Sequence, residues 1–179
     1  MGELRFLVTD AARAAFDELR GVHPDETFYG FSLLLAADPA GVRASANTEE
    51  GLRRVAERFA ANGYGAVESL SANAPGSLRW RTSEWEYRDV GGGHFADVAR
   101  FVADKVRDAD PDEVLPGLVG ELVGAVRDLN REDYFGWGPE RDGVVVLVET
   151  SDPDDLLEYA RDVNPATPFA RLQAGFGPS

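Results

Sequence analysis

The sequence predicts an α+β domain with a small, mainly antiparallel sheet packed by five or so helices. Three observations predict it. A β-hairpin occupies about residues 27–47, an apolar strand occupies about 144–149, and the intervening and flanking segments carry helical spacing of apolar residues. The chain of 179 residues suits a single domain, 1–179, and its 44% hydrophobic content is enough for an ordinary core.

At the N-terminus, Leu4, Leu7, Val8, Ala11, Ala15, Phe16 and Leu19 recur at spacings of three and four, which predicts a helix over about 3–20 that ends at Gly21 and Pro24. Phe28 to Leu35 is an almost unbroken apolar run and reads as a central strand covered on both faces. Gly30 inside it marks a bulge or the close approach of another group. Asp38-Pro39-Ala40-Gly41 is turn chemistry, and Val42 to Ala46 returns antiparallel. Asn47 is the expected cap of the next helix, with Glu50 three residues on in a capping-box pattern, and Leu52, Val55, Ala56 and Phe59 form its apolar stripe.

Residues 66–76 read as loop, Leu78 to Trp80 as a short strand, and Ser83 as the start of a turn. Gly91-Gly92-Gly93 reads as a flexible joint before a helix over about 94–107. Pro116-Gly117 is expected to interrupt a short turn from Pro111 before the main helix, about 116–129. Tyr134 to Pro139 is an aromatic, glycine-rich loop. Val144 to Val148 is the clearest strand, a last helix starts near Asp152-Pro153, and a loose tail is expected over about 165–179.

The net charge is −14, with 32 acidic against 18 basic residues, and all the bases but Lys105 are arginine. Such a surface repels phosphate backbones, so no nucleic-acid partner is expected, and a basic protein partner would be attracted. No apolar run approaches the ~20 residues of a membrane span. The first residues lack the basic region of a secretion signal, so a cytoplasmic protein is expected. The absence of cysteine removes disulfides, thiolate metal sites and cysteine nucleophiles.

Candidate chemistry is sparse. His23 and His94 have no second ligand at helical spacing, and both are expected to be solvated. Ser83 lacks a nucleophile elbow, and the triple glycine lacks the lysine of a phosphate loop. No cofactor, metal or catalytic residue is assigned. Glu49 and Glu50 with Glu84 and Glu86 could form a carboxylate cluster, although helix capping accounts for the first two. The segment holding Trp80, Glu84, Trp85 and Tyr87, with Arg79, Arg81 and Arg88 interleaved, has the residue types of an interface hot spot. Its competing reading is core packing. Trp137 marks a second aromatic loop that would line one groove with Trp80 and Trp85 if the two segments meet.

Phe28-Tyr29-Gly30-Phe31, Asn47-Thr48-Glu49-Glu50, Leu78-Arg79-Trp80 with Glu84-Trp85-Glu86-Tyr87, Phe135-Gly136, and Ser151-Asp152 with Asn164-Pro165 form an ordered motif series. In that series the chain resembles a bacterial family, domain of unknown function 4303. The resemblance carries no catalytic residues. Through the association of such families with secreted toxins, it implies a toxin-neutralising role similar in spirit to that of Smi1/Knr4-type immunity proteins. The expectation is a non-enzymatic module that binds a protein, a toxin in the form that the resemblance implies, through Trp80, Glu84, Trp85, Tyr87 and Trp137. The alternative is a small-molecule-binding protein or enzyme with Glu84, Glu86, Tyr29 or His94 in a pocket.

Overall fold

The computed structural model describes residues 2–37, 40–107 and 109–177. Asp38 and Pro39 of the expected turn lie outside the described residues. Four strands form one mixed sheet: β1 (Phe28–Ala37), β2 (Ala40–Thr48), β3 (Tyr87–Val90) and β4 (Val145–Glu149), in the order β3-β2-β1-β4. β1 pairs antiparallel with β2 and parallel with β4, and β2 pairs antiparallel with β3. The sheet is therefore mostly antiparallel and the fold is α+β.

Both faces of the sheet are covered. On one face Phe31, Leu33 and Leu35 of β1 and Val146 and Val148 of β4 meet α1 (Glu3–Val22), α4 (Ala96–Val106) and α5 (Pro111–Arg131). On the other, Val145 and Leu147 of β4 meet α2 (Glu49–Ala61), α3 (Val67–Ser71) and the irregular chain up to Trp85. α7 (Leu156–Val163) flanks β4 and gives Ala160 to one core and Val163 to the other.

A bulge at the start of β1 assigns the side chains to these faces. Phe28 pairs with Thr48 and Gly30 with Asn47, so two steps on β1 match one on β2. The extra residue, Tyr29, leaves the face of Phe31 and joins Trp80 and Trp85. Gly30 then permits the Trp85 ring to lie on the strand: a Cβ there would sit 2.8 Å from Cη2 of Trp85.

Several local expectations are corrected. Thr48, not Asn47, caps α2, its Oγ1 accepting from the Gly51 N–H at 2.8 Å. Asn47 is buried in β2, where its amide donates to the Tyr29 hydroxyl at 3.0 Å. Residues 78–80 form no strand, while the unforeseen β3 pairs with β2. Gly91 is no flexible joint. It has φ +58°, and a Cβ there would meet Ala15 of α1 at 2.4 Å. Pro116 lies inside an unbroken α5. The expected loose tail is instead a helix, α8 (Ala166–Phe176), with Leu172 fully buried.

Candidate functional site

The structure separates the residues that the sequence groups together. Trp85 is 1% exposed and Trp80 6%. Both indole N–H groups are satisfied internally, Trp85 donating to the Arg79 carbonyl at 2.8 Å and Trp80 to Asn73 Oδ1 at 2.7 Å. Both rings meet Tyr29 edge-on, at centroid distances of 5.5 Å for Trp80 and 6.1 Å for Trp85. They are core residues, and neither can present a ring to a partner. Glu84 is half-buried on a short 3-10 turn over Thr82–Glu84.

Tyr87 is also half-buried. Its hydroxyl donates to Glu26 at 2.8 Å, accepts from Arg54 at 2.8 Å and lies 3.3 Å from His23 Nδ1. Burial and the Glu26 carboxylate push its pKa up to about 12. This network ties the end of α1 to α2 and β3. His94 is likewise bonded, its Nε2 lying 2.8 Å from Glu18.

The carboxylates do not form one cluster. Arg79 forks onto Glu49 at 2.8 and 2.7 Å, and Arg171 reaches the same carboxylate at 3.3 Å. Burial pushes the Glu49 carboxyl up, but the two guanidinium groups outweigh it and hold it below the usual carboxylate range. Glu86 pairs with Arg58 at 2.6 Å and Arg54 at 3.2 Å, and Glu50 accepts from the Thr27 N–H at 2.8 Å. Among the described residues no group of His, Cys, Asp and Glu is arranged to hold a metal ion.

Trp137 behaves differently from the other two tryptophans: it is 73% exposed. Its loop is held on both sides. Before it, Phe135 is buried against Phe31 at 5.3 Å, and the Tyr134 hydroxyl donates to Asp17 at 2.7 Å. After it, Gly138 leads into α6 (Pro139–Asp142) through the Asp142 N–H to Gly138 carbonyl bond at 3.1 Å. Gly136 and Gly138 have φ of +91° and +56°, which only glycine adopts at little cost, so the indole between them is thrust outward.

Beside this loop runs an open groove of about 640 Å³ at the N-terminal ends of β1 and β4. Phe28, Phe31, Tyr134 and Phe135 supply its aromatic wall, and Arg20, Glu49, Arg171, Asp133 and Glu140 its charges. Trp137 stands in the chain between the lining residues Gly136 and Pro139, and it does not meet Trp80 or Trp85 in one groove. Sequence reasoning missed Arg20, Arg171, Asp133 and Glu140. The positions span more than 150 residues of chain, and no local motif joins them.

A family model, Domain of unknown function (DUF4303), matches residues 8–165. No curated protein and no solved structure matches the chain. The match spans all four strands of the sheet and most of both cores, and on that basis the chain belongs to the DUF4303 family.

Proposed function

We propose that this chain is a non-enzymatic protein-binding module of the bacterial cytoplasm, and that its contact surface is the Trp137 loop with the adjoining groove. The observation that carries the reading is the large, exposed indole on a loop pinned at both ends. A rigid exposed tryptophan offers contact area with little ordering cost, and tryptophan is enriched among interface hot spots. The ionisable groups support binding over catalysis: Glu49 in the groove, and Glu86 and Tyr87 outside it, are each committed to structural partners.

In its specific form the proposal is a toxin-immunity role, supported by the motif resemblance and by an acidic surface suited to a basic partner. Co-expression with secreted-toxin genes beside its own tests this form. A complex that protects the cell is expected; no complex and no protection with any of them would remove it. The groove itself favours a second reading, since about 640 Å³ lies within the ~300–1,000 Å³ of small-molecule sites. Thermal stabilisation by a metabolite, abolished by a change at Arg171 but not at Trp137, would select that reading.

A further inference from the structure

We infer that the part of the partner received beside Trp137 is a cationic side chain, a lysine or arginine; this rests on the protein-binding reading above. The compensation of charge around the groove points to it. Arg171 is bound by Glu49 at 3.3 Å and by the Gly143 carbonyl at 2.8 Å. Arg20 lies 3.9 Å from Asp17, and its guanidinium sits over the Phe31 and Tyr134 rings at 4.9 and 4.6 Å. Both cations of the lining are thus committed. Asp133 and Glu140 line the same groove, flank Trp137 in the chain, are exposed, and make no side-chain hydrogen bond or ion pair with any described residue.

Arg79 and Arg171 share Glu49, and Arg20 has Asp17, so the two lining carboxylates left without an ion pair are Asp133 and Glu140, which flank the exposed indole in the chain, and the seven groups together carry a net charge of −1. In the proposed pose an arginine or lysine stem runs along the aromatic wall, and its head reaches the segment that carries Trp137 between Asp133 and Glu140 in the chain. The ring quadrupole and the two anions then act on the same cation. The net charge of −14 brings such a partner toward the surface, and the local arrangement selects where its cation seats.

The test titrates the full chain with the capped tripeptides Gly-Arg-Gly, Gly-Lys-Gly and Gly-Glu-Gly. It reads the three indole N–H resonances by NMR, with Trp137 assigned from Trp137→Phe. The arginine and lysine peptides should move the Trp137 resonance and leave those of Trp80 and Trp85 in place. Glu140→Gln and Asp133→Asn should each weaken that response by about two- to fivefold, the range of an exposed ion pair. Glu158→Gln, which removes an exposed charge on α7, should leave it unchanged. The arginine and lysine arms show which head group is preferred.

The inference is overturned if the glutamate peptide moves Trp137, which would make Arg20 and Arg171 an anion site. It is also overturned if Glu158→Gln weakens binding as much as Glu140→Gln, if the cationic peptides leave Trp137 unmoved, or if sedimentation shows a second copy of the chain covering Trp137. A protein partner that shields Trp137 yet tolerates Asp133→Asn and Glu140→Gln would sink this inference alone. A partner indifferent to Trp137→Ala would sink the protein-binding reading instead, whatever the peptides do.

Discussion

Glu149 and Glu49 are two half-buried carboxylates with opposite consequences. Glu149 ends β4 and accepts hydrogen bonds from Ser32 and from Thr82, the latter at 2.8 Å, and no described cation pairs with it. Burial therefore pushes its pKa up, against the two hydroxyl donors. A raised folded-state pKa gives a contribution that is full below the ordinary carboxylate range and is lost as pH rises through the folded value. Glu149→Gln should thus raise the melting temperature at pH 7 relative to the parent, and the gain should vanish below about pH 4. A lower melting temperature at pH 7 would show that the ionised carboxylate is a net stabiliser. Glu49 is held low, so its contribution is present above the ordinary range and lost as pH falls through the folded value. Removing it leaves Arg79, 9% exposed, without its counter-charge. Breaking a buried pair costs ~3–5 kcal/mol, and because the Glu49 side chain is 40% exposed the expected cost of Glu49→Ala is nearer ~2 kcal/mol. Urea unfolding measures it, and a change under ~0.5 kcal/mol would mean that water replaces the carboxylate.

At the scale of the element, the contact between β1 and the irregular segment decides how the second face of the sheet closes. Trp85→Ala should cost ~3–5 kcal/mol by cavity formation. Gly30→Ala should cost ~1–3 kcal/mol by overpacking, because the added Cβ meets a ring held by neighbours and by its own N–H bond. The double variant Gly30→Ala with Trp85→Phe should lose less than the sum in denaturant melts. Strict additivity would mean that the two groups do not share one space. The hairpin and β4 were legible in the sequence because their apolar runs are long and bounded by turn residues. β3 was not, since four residues with only half-buried ends carry no alternation. Asn164-Pro165 reads equally as a stop and as a start. Here Pro165 occupies the N-cap of α8, and Pro168 falls within the first turn, where a missing N–H costs nothing. Pro116 should break a helix at ~3 kcal/mol, yet Leu118, Val119, Leu122, Val123, Val126 and Leu129 hold α5 continuous. Truncation after Pro165 should accordingly destabilise the fold, because it removes buried Leu172, Arg171 and the Gly175 surface against which Trp80 packs. An unchanged melting temperature would contradict this.

Across the whole molecule, the three tryptophans divide by packing rather than by neighbourhood in the chain. Sequence reasoning could find the aromatic segments but not their burial, which depends on the β1 bulge and on helices more than 60 residues further along the chain. The groove was illegible for the same reason: the 133–144 segment supplies one wall, but the rest comes from α1, the start of β1, α2 and α8, far apart in the chain. The central claim is that Trp137, not the Trp80–Tyr87 segment, meets the partner. The direct measurement is the affinity of the parent and of Trp137→Ala for a protein that co-purifies with the parent, paired with the melting temperature of each. The account predicts at least a tenfold loss of affinity, the ≥ ~1.4 kcal/mol scale of a hot spot, with stability unchanged to within ~0.5 kcal/mol. Undiminished affinity in Trp137→Ala would contradict it.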